Sequence, residues 1–451
     1  MDAHIPRPLM QDASRDSYAP AAKRVERFTK SCRRFLLLVR YRVMCYFLDH
    51  LWLFQRVFDL LRLLRPIFVF RKIVVVTRAR EVREVLQRFD DFTLGDIIDP
   101  GMPWGTFLMT VDWRQRHAQE RQWLQGAVRD PADVEKIRAI VDARCQQIQP
   151  ADGRLNVVTQ LLEPVVVDIA REYFGVPPLA GSPQKMALAM RDLAGIIMAN
   201  PPVGSKPWAR SRANIAGVTE LVLREISRAE APPHADNLLT RLVQRLRQPD
   251  GPDWFDEDWI RRYLTGLIAT GGATIVRAGA GAIDRILKHR AALQEAQSVA
   301  ADLDQAIKRR ELQRVDELRS RLRHFLYEAL RFRPMLPLLI RDAPRETVIA
   351  YGTKDARIVP AGAKVFAPPL AAMFDPEVFP NPKRFDASRP FESYVHFGSG
   401  PRHCFGQYIA ETALLEIFRW LLLRPGLSRA AWPSGRLAFD GPAAAGLVVT
   451  F

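Results

Sequence analysis

One cysteine, Cys404, lies in the segment Phe397-Gly398-Ser399-Gly400-Pro401-Arg402-His403-Cys404-Phe405-Gly406, with an arginine two residues before it. Residues in this order can offer a thiolate to a metal. Gly398, Gly400 and Gly406 remove Cβ atoms, so the backbone can turn tightly and come close to a flat ligand. A helical run over 407–423 starts directly afterwards, and its N–H groups and positive dipole end favour the sulfur anion. Arg402 can make a forked pair with a carboxylate. A buried cysteine in a Gly-rich turn is the alternative for an isolated Gly-x-Cys.

Other residues share helix faces. In the run 316–332, Leu318, Leu322, Phe325, Leu326 and Leu330 recur at helical spacing, and Glu328 and Arg331 are three apart on one face. Such a pair alone is usually a solvated bridge worth little. Pro334 and Pro337 follow, and then Arg341. His117 and Arg121 are four apart and also share a face. In Leu267-Ile268-Ala269-Thr270-Gly271-Gly272-Ala273-Thr274-Ile275 the glycine pair either packs a helix closely or loosens it, and Thr274 can carry a proton or a hydrogen bond.

The cysteine segment matches every fixed position of Phe-x-x-Gly-x-Arg-x-Cys-x-Gly, and it resembles the haem-ligand loop of the cytochrome P450 family. The resemblance runs over about 66–451. It implies haem b (iron protoporphyrin IX) with Cys404 as the iron ligand and Phe397, Gly398, Gly400 and Gly406 shaping the cofactor loop. It implies propionate contacts from Arg402, Arg341, His117 and Arg121. It also implies a structural lock in which Glu328 and Arg331 meet a third arginine from the stretch 379–386, where Arg384 is the choice and Arg389 the fallback. On the helix above haem the family usually carries Ala/Gly-Gly-x-Asp/Glu-Thr, whose acid and threonine handle protons. Here Gly271 and Thr274 match, Thr270 takes the small position, and Ala273 replaces the acid. The nearest carboxylates along the chain are Asp258 and Asp284. The implied catalytic set is therefore Gly271, Ala273 and Thr274.

With 451 residues, 48% of them hydrophobic, the chain can build one large core. The expected fold is mainly α with a minor β-sheet, a single large domain over 66–451. A disordered segment is expected at 1–25 and a basic, apolar helical extension at 26–65. Strand 68–76, helix 79–89, a Gly/Pro-containing loop 93–111, a Pro-rich break 200–208 and a central helix 258–289 are expected within it, with strands mainly over 341–367; the resemblance implies that loop 93–111 covers the substrate pocket. Cys32, Cys45, Cys145 and Cys404 show no paired spacing, which points to a reducing, cytoplasmic compartment. The first residues show no apolar core ahead of a small-residue cleavage site.

Net charge is +16 and pI about 10.1. The arginines are scattered and no nucleic-acid motif accompanies them, so nucleic acid is set aside. An acidic electron donor fits better, and the resemblance implies one of ferredoxin or flavodoxin type received on the cysteine side, where Lys383, Arg384, Arg389, Arg402 and His403 lie. In the stretch 26–71, arginines interrupt every apolar run before it reaches the length of a membrane span. Helices of this composition can lie on a membrane surface, and packing against the domain's own core or another subunit is the favoured reading.

The resemblance implies a haem-thiolate monooxygenase that inserts one oxygen atom from O2 into a small apolar or lipid substrate. One alternative is a hydroperoxide isomerase or peroxygenase acting on fatty-acid hydroperoxides with no electron donor. Ala273 favours it, as does the similarity of 392–396, 416–425 and 441–442 to the P450 halves of peroxidase-linked lipid dioxygenases. A haem-binding protein without catalysis is the third reading, and Thr274 with the glycine pair opposes it.

Overall fold

Apolar residues recur at helical spacing through most of the chain, and the computed structural model is correspondingly a helical body with small sheets. It describes residues 35–95, 105–150, 152–199, 201–229, 235–249 and 251–451. The segment expected to be disordered, 1–25, and the tip of the expected pocket loop, 96–104, lie outside these residues.

In chain order the helices are α1 (35–49), α2 (Leu51–Leu64), α3 (Ala79–Gln87), α4 (Arg114–Gln125), α5 (Ala132–Gln147), α6 (Glu163–Asp168), α7 (Pro183–Ala199), α8 (Lys206–Ala229), α9 (Leu238–Leu246), α10 (Glu257–Ile286), α11 (Arg290–Arg309), α12 (Leu312–Phe332), α13 (Pro369–Ala372) and α14 (Gln407–Leu422). The strands are β1 (Ile67–Phe70), β2 (Ile73–Val76), β3 (Arg154–Asn156), β4 (Leu339–Ala343), β5 (Thr347–Ile349), β6 (Arg357–Val359), β7 (Ala363–Ala367), β8 (Ser428–Arg429), β9 (Ala438–Asp440), β10 (Ala443–Gly446) and β11 (Val448–Thr450).

α10 organises the core. Asp256 caps it, its carboxylate accepting the Trp259 N–H at 2.7 Å. Trp259, Ile260, Leu264, Ile268, Ile275 and Ile283 are buried against α7, α8, α12 and α14. Full burial of each such aliphatic side chain contributes roughly 1.5–3 kcal/mol, so the helix is held by tertiary packing and tolerates the weak helix formers Gly271 and Gly272. Its 30 residues are long and apolar enough to cross a membrane, but 78% of its most apolar window is buried inside the protein.

The largest sheet has the order β1-β2-β7-β4. The single strand expected at 68–76 is instead a hairpin. Ile67 pairs with Val76 and Phe70 with Ile73, and the chain reverses through Arg71 at φ 51°. No Asn-Gly or Asp-Gly signal marks that turn, because the left-handed position falls on an arginine. β2 runs parallel to β7, and β4 runs antiparallel to it with Arg341 opposite Val365. Strands also occur outside 341–367: β9-β10 form one further sheet near the C-terminus, and in β3-β11-β8 the C-terminal strand β11 pairs with β3 at Arg154–Asn156.

α1 and α2 are tied to the rest. Phe47, Leu48, Leu51 and Phe58 share a buried cluster with Leu370, Ala371, Phe374 and Ala443. Arg62 donates to the carbonyls of Thr77 at 3.1 Å and Ala371 at 2.7 Å. The other face stays apolar and open. Phe35, Leu36, Val43, Trp52, Leu60, Leu63 and Leu64 are each more than half exposed.

Candidate functional site

The cysteine loop holds itself with backbone bonds. Cys404 N–H donates to the Phe397 carbonyl at 2.9 Å, and His403 N–H to that of Gly400 at 2.9 Å. Gly398 and Gly400 adopt φ 78° and 73°, a region L-residues avoid. A Cβ on Gly400 would stand 2.7 Å from Gln87 Cα and 3.0 Å from the Leu86 carbonyl oxygen, so the loop approaches α3 only because this residue is glycine. Gly406 caps α14, and its N–H donates to the Cys404 sulfur.

Desolvation raises the Cys404 thiol pKa, while the Gly406 N–H and the Arg121 charge pull it down. Yet by surface area the side chain is exposed. Deep placement and open surface are compatible when the sulfur borders an internal void: most of its surroundings are protein, and one side is not packed.

Three arginines and a histidine gather around the same region. Arg402 stacks over Phe89, 4.0 Å from the ring centroid, donates to the Met109 carbonyl at 3.2 Å and pairs with Asp112. Its Nε is buried and has no hydrogen-bond partner among the described residues. Arg341 is buried, with its pKa held down to about 10 by desolvation and by the Arg402 charge. His117, on α4, packs against Phe89 and is held down to about 4 by desolvation, then by Arg402 and Arg121. Arg121 donates to the His403 carbonyl at 2.7 Å. The fold thus brings Arg402, Arg341, His117 and Arg121 within electrostatic reach of the cysteine loop, with Asp112 as the facing carboxylate. Like charges at this depth repel one another, and a dianionic ligand relieves that repulsion. The two propionates of haem suit such a set.

α10 supplies the other wall. A Cβ added to Gly271 would meet nothing within 4 Å. Thr270 donates to the Gly266 carbonyl at 2.7 Å and Thr274 to that of Gly271 at 3.1 Å, so both hydroxyls lie back on the helix. Thr270, Gly271 and Thr274 are half-buried, whereas Gly272 and Ala273 are buried on the opposite side. The open glycine and the unpacked cysteine are the kind of surfaces a flat cofactor covers, and the donor set fits haem.

The Glu328–Arg331 pair is not a solvated bridge. Both side chains are fully buried. Arg331 Nε and Nη2 donate to the two Glu328 oxygens at 2.8 and 2.7 Å, and Nη1 donates to the Met373 carbonyl at 2.9 Å. Tyr394 and the Asp386 N–H complete the carboxylate at 3.0 and 2.9 Å. The third arginine is Arg389, not Arg384. Arg389 Nε stands 3.5 Å from Glu328 with its side chain 6% exposed. Arg384 contributes only its carbonyl, 3.2 Å from Arg331 Nη2, and its side chain is exposed. The turn at Asn381, φ 52°, puts the Arg384 backbone rather than its side chain toward the pair.

Some groups have no local signal in the sequence. Asp112 closes a loop by accepting the Leu94 and Gly95 N–H groups at 2.9 and 2.8 Å. Glu163 enters a small cavity beside Ala273. The basic patch expected beside the cysteine is thinner than its sequence, because Arg389 and the Arg402 side chain are buried. Instead a concavity of about 550 Å³ borders the backbone of the cysteine loop, lined by Arg83, Arg323, Glu392, His403 and Gln407 among others.

A family model described as cytochrome P450 matches residues 206–425. The chain is 40% identical over 85 residues to a bifunctional dioxygenase–epoxy alcohol synthase of Fusarium oxysporum (strain Fo5176), covering 18% of this chain and 7% of that protein. It is 24% identical over 360 residues to cyclooctat-9-en-7-ol 5-monooxygenase of Streptomyces melanosporofaciens, covering 74% and 76%. It thus spans less than a tenth of the length of the first curated relatives it matches. Among solved structures, a mutant of P450 EryK in complex with erythromycin B superposes with a TM-score of 0.71 at 21% identity, covering 89% of this chain and 97% of that one. P450BioI in complex with an acyl carrier protein ligated to hexadec-9Z-enoic acid gives 0.67 at 19% identity, covering 91% and 100%.

Proposed function

The chain belongs to the cytochrome P450 family, and we propose that it works as a haem-thiolate monooxygenase inserting one oxygen atom from O2 into an apolar organic substrate. The observation that carries this reading is Cys404: a sulfur deep in the fold, bonded by the Gly406 N–H, open on one side and within reach of the Arg121 charge. When bound, haem supplies oxygen activation at iron, and a thiolate ligand favours O–O cleavage.

The chain's own residues do the rest. Cys404 would hold the iron, and Phe397, Gly398, Gly400 and Gly406 shape the loop that presents it. Arg402, Arg341, His117 and Arg121 would bind the propionates. Gly271 leaves room on α10, Ala273 keeps the far side of the helix apolar, and the Thr274 hydroxyl can turn from the Gly271 carbonyl to pass a proton.

The electron donor in this reading is an acidic ferredoxin or flavodoxin, drawn by the +16 charge to the concavity beside the cysteine loop, where Arg83, Arg323 and His403 lie. Cytoplasmic placement fits Cys45, Cys145 and Cys404, which are all free. The exposed apolar face of α1 and α2, with Arg40, Arg42 and Arg56 between its apolar residues, fits an in-plane contact with an anionic membrane.

A second reading is favoured by Ala273 and by the match to the dioxygenase–epoxy alcohol synthase: isomerisation of a fatty-acid hydroperoxide with no electron donor. The test offers linoleic acid with O2, NADPH, a reductase and a ferredoxin to one sample, and linoleic acid hydroperoxide alone to another. Oxygenated product labelled from ¹⁸O2 in the first supports the monooxygenase. Rapid rearrangement in the second, with none in the first, overturns it.

A further inference from the structure

Ala273 leaves α10 without an acid, and residue order offers none nearby, but a carboxylate reaches the same place from another element. Glu163, Arg191, Gly272, Ala273, Val276 and Ala444 are among the residues lining a small cavity between α6, α7, α10 and β10. About 10 Å³ of it is open to the centre of a water molecule, which is room for about one water. Glu163 is 7% exposed. It accepts Arg191 Nε at 3.0 Å and a second bond from Nη2. Arg191 keeps 18% of its side chain exposed, so the pair runs from the solvent rim to the flank of α10.

Two local features mark this position. Glu163 ends a π turn over Val157–Leu162, its N–H bonded five residues back to the Val158 carbonyl, and such wide turns concentrate at functional sites. On α10, the wall between this cavity and the open face is one helix thick at its Gly271–Gly272 pair. Gly271 opens to the void, Gly272 presses on Met190, and Thr274 already bonds back to the Gly271 carbonyl. A glycine pair with a back-bonded threonine is where a water can insert into the helical ladder.

We propose that Glu163, through a water in this cavity, is the proton-relay residue that stands in for the missing acid at Ala273. This rests on the monooxygenase reading. The overall reaction RH + O2 + 2 e⁻ + 2 H⁺ → ROH + H2O takes its electrons from the ferredoxin-type donor and its two protons from solvent. Glu163 takes a proton at the Arg191 rim and hands one to the water beside Ala273, so its own charge is restored each cycle. It acts through that water and α10 and is a positioning residue, not a catalytic one.

Three measurements on the full chain test this. In the first, Glu163→Gln lowers O2-driven oxygenation of linoleic acid tenfold or more and enlarges the solvent deuterium isotope effect. Oxygenation driven by cumene hydroperoxide, which brings its oxygen already reduced, stays within about twofold, far short of the losses that removing a needed proton donor causes. Adding Ala273→Asp to this variant restores O2-driven turnover. In the second, Ala444→Val fills the cavity, leaves the ion pair in place, and lowers the same activity, which covers the case that the Gln variant folds poorly. In the third, hydrogen exchange of the haem-free chain shows the amides of 271–274 exchanging faster than the turns on either side, and Ala444→Val slows them. Equal protection along α10, or equal loss of O2-driven and hydroperoxide-driven turnover in Glu163→Gln, overturns the relay. A wild-type chain with no O2-driven product overturns the monooxygenase reading and the relay with it; a wild type that turns over beside an unimpaired Glu163→Gln overturns the relay alone.

Discussion

On the cysteine side of the site, ten consecutive residues supply the sulfur, its N–H partner, the glycine turns and one of the arginines. On the α10 side, an open glycine, two back-bonded threonines, an ion pair from α6 and α7 and an alanine where a carboxylate was expected come from separate parts of the chain. The first region is fixed by local backbone chemistry: φ 78° and 73° at Gly398 and Gly400, and a contact with α3 that a Cβ would block. The second is fixed by how helices pack. Local construction needs particular residues at short spacing, whereas a packed helix face draws its groups from several elements.

The contrast can be broken first at the lock that holds the cysteine side. Glu328→Ala leaves Arg331 buried and unpaired, and breaking such a pair removes roughly 3–5 kcal/mol. Arg389→Ala has a smaller effect, and Arg384→Ala stays within about 0.5 kcal/mol, as exposed substitutions do. Urea denaturation of the three variants gives the order, and a larger loss for Arg384 than for Arg389 would reverse the assignment.

Next come the two adjacent glycines of α10. Gly272→Ala drives a Cβ into Met190 and lowers stability by about 1–3 kcal/mol, as overpacking does. Gly271→Ala meets no protein atom and leaves the unfolding midpoint unchanged or slightly raised, yet it weakens haem uptake measured by titration. Equal effects of the two on both readouts would mean that α10 has no open face.

An effect of similar size comes from acid between pH 7 and 5. His396 is held down to about 3 by burial, its Nε2 donating to the Tyr327 carbonyl at 2.8 Å. The unfolded imidazole titrates near 6.5, so the unfolded chain takes the proton first. The stability is complete above that pH and declines as pH falls from about 6.5 toward 3, by up to about 1.4 kcal/mol per pH unit. His396→Asn flattens that slope in denaturation curves taken between pH 7 and 5. Last, Trp52→Asp with Leu63→Asp leaves stability nearly unchanged and reduces binding to phosphatidylserine vesicles in a flotation assay, since both side chains are more than half exposed.

What could be read from residue order follows the same division. Cys404, Arg402 and Glu328–Arg331 were legible because short spacing carries the geometry, and so was the long helix, seen as 258–289 and observed at Glu257–Ile286. Arg389 was misranked because a left-handed Asn381 decides which arginine turns inward. The β1–β2 hairpin was hidden by Arg71 in a position usually marked by glycine or asparagine. The α1–α2 extension was expected to pack on its own domain, and one face does, while the other stays exposed. Glu163 was out of reach because it meets α10 across more than a hundred residues of chain, through packing that leaves no spacing to recognise.

The most direct measurement is the ferrous carbon-monoxide spectrum of the haem-loaded chain beside that of Cys404→Ser. The account predicts the red-shifted Soret band of thiolate ligation in the wild type and its loss in the variant, with Glu328–Arg331 intact and the fold retained by circular dichroism. A thiolate band that persists in Cys404→Ser, or one that is absent from the wild type, would contradict it.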